Sequence, residues 1–153
     1  MDAVDRKILA LLQEDAALSI EKIAAKVHLS STPCWKRIRR LEKDGVIQKR
    51  VALLDAEKVG AGGTVFVAIK TNQHNREWLD HFASSVEDMP EILDFYRMSG
   101  EIDYLLRVVV SDIAAFDAFY QRLISRVPLS DVTSSFAMEK IKHTTALPIA
   151  TTE

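Results

Sequence analysis

The sequence has a single cysteine, Cys34, and only five glycines and four prolines in 153 residues. One cysteine cannot close an intrachain disulfide, and that usage fits a reducing compartment. So little glycine and proline excludes collagen-like and low-complexity chains. Long apolar runs are missing as well. The best candidate, Leu105 to Val110, is interrupted by Arg107 and preceded by Asp103, far short of the roughly 20 apolar residues a membrane helix needs. The start, Met1-Asp2-Ala3-Val4-Asp5, is acidic and lacks the basic-then-apolar pattern of a signal peptide. A cytoplasmic protein with no membrane partner is therefore expected. His28, His74, His81 and His143 are scattered, with no zinc-like spacing and no second cysteine. No glycine-rich loop leads into a helix with Lys-Ser/Thr, and no two carboxylates are forced together by spacing. The expectation is a protein that is not an enzyme and has no cofactor or metal.

What is present is ordinary in amount and unequal in distribution. Hydrophobic residues make up 48% and charged residues 27%, as in folded soluble proteins. The length fits one domain or two small ones. The net charge is -2, yet residues 1–50 hold 11 Lys+Arg against 7 Asp+Glu, and residues 51–153 hold 9 against 15. A head of +4 on a body of -6 points to a polyanion-binding part joined to a part with another task.

The head reads as three helices. Val4, Ile8, Leu11 and Leu12 recur at helical spacing, with Asp2 and Asp5 in a first turn where the helix dipole favours acid. Ile20, Ile23, Ala24 and Val27 form a second stripe after Ser19, a partial N-cap signal. Val27-His28-Leu29-Ser30 is a tight connection into a third helix, capped by Ser30, with Pro33 in its first turn and an end at Gly45. Short helix, turn and further helix make a helix-turn-helix signal. Val46 to Asp55 is β-branched and predicts one or two short strands, a wing. Gly60, Gly62 and Gly63 form the best linker, and the boundary falls there: residues 1–60 as head, 61–153 as body.

The body alternates. Strands are predicted at Thr64 to Thr71, Ile92 to Met98, Asp103 to Val110 and Ser130 to Glu139, with helices over Arg76 to Val86 and after Asp112. The order βαββαβ predicts a ferredoxin-like domain, and the chain as a whole an α+β protein.

The third helix carries the chemistry. At about 100° per residue, Cys34, Ile38 and Leu41 share one narrow sector, the core side. Lys36, Arg39, Arg40 and Lys43 cluster opposite, and Trp35 and Arg37 flank the boundary. Such a face suits a recognition helix in a major groove, where cations meet phosphates and guanine edges; the bland reading is a solvated face. Ser31 and Thr32 at the helix start and Lys49 and Arg50 in the wing complete the candidate DNA surface. Trp35 either stacks or packs on the wing. Arg37 either bridges an acid such as Glu14 or Glu21 or touches phosphate. Cys34 reads as a small buried hydrophobe.

The segments MDAVDRKILALLQEDAALS, IAAKVHLSSTPCWKRIRRLEKDGVI, RVALLD, RMSGEIDYLLRVVV and DVTSSFAMEKIKHTTALP together resemble the Lrp/AsnC (feast/famine) transcription regulators, in the family's order and over nearly the whole chain. The likeness is nearest to a subgroup with the TPCWKR helix and the TSSFAME strand. It implies a winged helix-turn-helix followed by a RAM/ACT-like ferredoxin domain. It also implies homodimers built sheet to sheet, assembling to tetramers or octamers, and an amino-acid-type effector bound between dimers. Carried over, the turn with Met98, Gly100, Glu101, Asp103 and Tyr104 matches the effector loop. Gly100 admits a ligand carboxylate, and Asp103 is a partner for an α-amino group. Thr133, Ser134 and Ser135 match the strand completing the pocket, from a neighbouring subunit. Each has a plainer role open to it: Gly100 in the hairpin turn, Asp103 in a cap or a pair with Arg97 or Arg107. The small hydroxyl at Ser135, where some relatives carry an aromatic, argues against a leucine-type specificity; cysteine or another sulfur amino acid ranks first, then branched-chain or aromatic amino acids and their catabolites.

The leading expectation is a sequence-specific, nucleoid-associated transcriptional regulator that binds a roughly palindromic operator in double-stranded DNA. Two rivals stand beside it. One is an architectural nucleoid protein without an effector. The other is an enzyme using the helix-turn-helix only to oligomerise, since ferredoxin-like folds do host catalysis.

Overall fold

A computed structural model describes residues 1–150. The chain divides into two compact units, Met1–Leu53 with the tail from Ile141, and Leu54–Lys140.

The first unit is built on helices α1 (Ala3–Glu14), α2 (Ile20–Lys26) and α3 (Ser31–Lys43). Helix α1 starts in a full capping box: Asp2 accepts the Asp5 N–H, and the Asp5 carboxylate accepts the Asp2 N–H. Ser19 caps α2 by accepting the Lys22 N–H. Ile8, Ile23, Ala24, Val27, Cys34 and Ile38 form the core, as the helical periodicity predicts, with Leu29 and Ile47 packed at its margin.

The turn between α2 and α3 is a Schellman closure. The Leu29 N–H donates to Ala24 O at 2.9 Å and the His28 N–H to Ala25 O at 3.4 Å. His28 accordingly takes the left-handed conformation, φ 57°, which histidine visits more readily than β-branched residues do. Helix α3 ends the same way: the Val46 N–H donates to Leu41 O and the Gly45 N–H to Glu42 O, with Gly45 at φ 71°.

Two local expectations fail. Ser30 holds the N-cap position of α3 but makes no side-chain capping bond. The third helical residue, whose amide a serine cap takes, is Pro33, and it has no N–H. The segment from Val46 to Asp55 forms no strand. A strand needs a hydrogen-bonding neighbour as well as β-branched side chains, and nothing in the described chain pairs with it. Val51, Leu53 and Leu54 stay exposed.

The second unit is the expected βαββαβ fold: β1 (Gly63–Lys70), α4 (Arg76–Val86), β2 (Ile92–Arg97), β3 (Tyr104–Val110), α5 (Ile113–Arg126) and β4 (Asp131–Phe136). The sheet order is β2-β3-β1-β4, all antiparallel. Asn75 caps α4 and Asp112 caps α5, the latter by accepting the Ala115 N–H. Alternation sets the layers. Val65, Val67 and Ile69 of β1 and Tyr104, Leu106, Val108 and Val110 of β3 face Trp78, Phe82, Phe119 and Leu123 of the helices. Phe66 and Tyr96 lie partly exposed on the sheet. Two arginines one turn apart on α5 tie down the α4–β2 connection, Arg122 to Glu91 and Arg126 to Asp88.

The tail from Ile141 belongs to the first unit. The Gln13 side chain clasps the main chain of Leu147 from both sides, donating to its carbonyl at 3.1 Å and accepting its N–H at 2.6 Å. Arg6 donates to the Ala150 carbonyl at 2.8 Å. Among the described residues no helix is long and apolar enough to cross a membrane, and no cluster of three or more His, Cys, Asp or Glu side chains could hold a metal.

Candidate nucleic-acid interface and effector loop

Helix α3 is held by its buried side. Cys34, Ile38 and Leu41 are essentially inaccessible, and burial pushes the Cys34 thiol upward, so it remains a protonated, inert packing group. This fixes the rotation of the helix about its axis. Lys36, Arg39 and Lys43 then lie within a sector of about 60° on the far side. All three are exposed. Trp35 is half exposed beside them, and Ser31 and Thr32 sit exposed on the first turn.

The cations differ in what they already touch. Lys36, Lys43 and Lys49 have no acidic partner among the described residues. Arg39 and Arg50 share one acid, Glu42, at 3.1 and 3.2 Å. That pairing is solvent-accessible and easily exchanged. Arg37 and Arg40 turn the other way, toward α1. Arg37 donates to Asp2 at 2.6 Å and to Asp5 at 2.8 Å, and Arg40 to Asp5 at 2.6 Å. The acids that engage Arg37 are thus Asp2 and Asp5, not Glu14 or Glu21. The Asp5 N–H and then the Arg37 guanidinium hold the Asp2 carboxyl down at about 2, and the same ion pairs raise Arg37 further.

In the second unit the turn between β2 and β3 is shaped by its own backbone. The Met98 N–H donates to Asp103 O at 2.8 Å, and the Asp103 N–H to Ile69 O at 3.0 Å. Gly100 sits at φ 121°, and a Cβ there would meet no atom within 4 Å. The glycine is therefore required by conformation alone. Asp103 is already engaged: its Oδ2 accepts the Thr71 N–H at 2.8 Å, and its Oδ1 lies 3.6 Å from His74 Nδ1. Glu101 is exposed and pairs loosely with Lys70 at 3.3 Å. Met98, Asp103 and Tyr104 line a small polar cavity of about 130 Å³ with His74, Arg76 and Arg97. Tyr104 itself is buried in an aromatic cluster with Trp78, Phe82 and Phe95.

Thr133, Ser134 and Ser135 do not join this loop within the protomer. They lie on β4 and pair with Ala68, Val67 and Phe66 of β1, and β1 stands between β4 and β3. That puts them about 10 Å from β3, two strand spacings away. Sequence reasoning passed over His74, Arg76 and Thr71. The Asn75 N-cap marks a helix start there, but no spacing rule ties it to a turn 28 residues onward.

Residues 1–48 match the winged helix-turn-helix DNA-binding family, and residues 64–147 match the Lrp/AsnC ligand-binding domain. The chain belongs to the Lrp/AsnC family. It is 58% identical over 150 residues to the DNA-binding transcriptional activator DecR of Escherichia coli K12, covering 97% of this chain and 99% of DecR. It is similar in structure to an AsnC family transcriptional regulator from Agrobacterium tumefaciens, with a TM-score of 0.94, 59% identity and 97% of each chain covered. It is also similar to a transcriptional regulator from Neisseria meningitidis solved in complex with L-methionine, with a TM-score of 0.92 and 36% identity, covering 98% of this chain and 97% of that one. As an Lrp/AsnC regulator, the chain has its helix-turn-helix match on the unit with the cationic helix and its ligand-binding match on the unit with the Gly100 turn.

Proposed function

We propose that the protein is a sequence-specific DNA-binding transcriptional regulator whose DNA affinity or assembly responds to a small amino acid. The observation that carries the reading is helix α3: its core side fixes Lys36, Arg39 and Lys43 outward, immediately behind the helix-turn-helix turn. Residues 1–60 act as the DNA-binding head. Lys36, Arg39, Lys43, Lys49 and Arg50 meet phosphates, and Ser31, Thr32 and Trp35 lie at the groove. Residues from 61 onward, up to the tail that begins at Ile141 and joins the first unit, act as the sensing and assembly part.

The effector binds at the Met98–Tyr104 turn. Gly100 admits the ligand carboxylate, Asp103 receives its ammonium group, and the exposed hydroxyls of Thr133 and Ser135 arrive with Ser134 from a neighbouring subunit. The separation of β4 from β3 within one protomer supports that intersubunit assignment. The bound L-methionine of the Neisseria relative supports a sulfur amino acid as the first candidate. The working form is a homodimer, sheet to sheet, that assembles to a tetramer or octamer on a palindromic operator in the cytoplasm.

A thermal-shift screen of the twenty amino acids and common catabolites tests the sensing half, since a ligand stabilises with the logarithm of its concentration over Kd. One amino acid should stand out. A flat screen, together with weak site preference in a genome-wide binding assay, would favour an architectural protein without an effector.

A further inference from the structure

The cations of α3 divide into two groups by the fate of their charge. The side chain of Asp5 is 1% exposed. Its Oδ2 accepts the Asp2 N–H at 3.0 Å and Arg40 Nη2 at 2.6 Å, and its Oδ1 accepts Arg37 Nη1 at 2.8 Å. The same Arg37 nitrogen donates to Asp2 Oδ2 at 2.6 Å. This carboxylate is buried and completely satisfied.

Arg40 lies only about 40° around the helix from Lys36 and about 60° from Lys43. Its side chain is half exposed. Position alone would admit it to the phosphate-contacting set. Energetics keep it out. Withdrawing Arg40 strips a charge from a buried carboxylate, a heavy penalty, whereas an exposed ion pair with phosphate returns little. Arg39 faces no such penalty, because its partner Glu42 is partly exposed and also pairs with Arg50.

We propose that Asp5 is a positioning residue of the DNA interface. It holds Arg37 and Arg40 against α1, and so limits the phosphate-contacting cations of the helix to Lys36, Arg39 and Lys43. The inference rests on the DNA-binding reading given above. Its consequence is the strength and salt dependence of binding: each phosphate contact strengthens binding to every sequence alike, so keeping Arg40 off the backbone lowers the overall affinity and its salt slope and leaves the operator-to-random ratio unchanged.

The test uses the full chain and a mixed-sequence duplex of roughly 30 base pairs, with binding followed across salt concentration. Each phosphate contact contributes about 0.9 to the log–log slope, a factor of about 3.5 in affinity between roughly 50 and 200 mM salt. Arg39→Ala should lower the slope by that amount, and Arg40→Ala should leave it unchanged. Asp5→Asn, checked for folding by circular dichroism, should raise the slope by about 0.9 as Arg40 is released, with operator-to-random discrimination unchanged. If Asp5→Asn does not fold, the Arg40→Ala arm decides. A slope that falls equally in Arg40→Ala and Arg39→Ala overturns the proposal, as does a folded Asp5→Asn with an unchanged slope. Failure of the native chain to bind the duplex at low salt would instead remove the DNA-binding reading, and this inference with it.

Discussion

Replacing Gly100 with alanine should impair sensing and leave the DNA-binding head intact. Gly100 sits at φ 121° with open space around its Cα, so the added methyl meets nothing and the whole effect is backbone strain. A non-glycine residue forced into such a conformation costs about 1–3 kcal/mol. Against this, alanine narrows the unfolded ensemble and returns about 0.4–1 kcal/mol. The net expectation is a loss of about 1–2 kcal/mol, or relaxation of the turn to a new shape. The head offers an internal comparison. Gly45 also has a positive φ, 71°, and open surroundings, but in the left-handed region the penalty is about 1–2 kcal/mol. Gly45→Ala should therefore cost less, and its cost should fall on the end of α3. Urea unfolding of both variants gives the stabilities. A thermal shift with the best amino acid from the screen, and duplex binding, give the two functions. Gly100→Ala should lose the amino-acid shift and bind DNA normally; Gly45→Ala should do the reverse. Gly100→Ala with full stability and a full amino-acid shift would mean that the turn neither requires glycine nor presents its backbone to the ligand.

Two further perturbations follow from the same geometry. His28→Gly should be neutral or stabilising by up to about 1 kcal/mol, since strain relief at φ 57° roughly balances the added freedom of the unfolded chain; His28→Val should destabilise the head, and thermal unfolding compares them. Folding lowers the Asp2 carboxyl from 3.8 to about 2, so its stabilising effect is full above pH 3.8 and disappears as the pH falls through about 2; Asp2→Asn should match the native chain in stability at the acid end and fall behind it at neutral pH, in parallel melts across that range.

The sequence made the large features legible because they rest on period. Cys34, Ile38 and Leu41 at helical spacing locate the core side of α3, and the element order βαββαβ predicts the ferredoxin-like sheet. It failed where the outcome depends on what lies opposite. Val46 to Asp55 has strand composition but lacks a neighbour to pair with. The partners of Arg37 and Arg40 lie 32 to 35 residues away, and only the packing of α1 on α3 selects Asp2 and Asp5 over Glu14 and Glu21. Tyr104 shares parity with Leu106, Val108 and Val110, which places its ring in the core. The crowding of His74 and Arg76 around Asp103 had no signal in the sequence at all.

The proposed function requires the Gly100 turn and the cationic helix to be energetically coupled. The direct test is to measure the affinity of the full chain for a genome-selected operator duplex with and without the amino acid that stabilises it most. The affinity for that amino acid is then measured with and without the duplex. Linkage requires the two ratios to be equal, and coupling of ordinary allosteric strength makes the common factor about 5–150. Ratios of one in both directions, with both ligands bound, would contradict it.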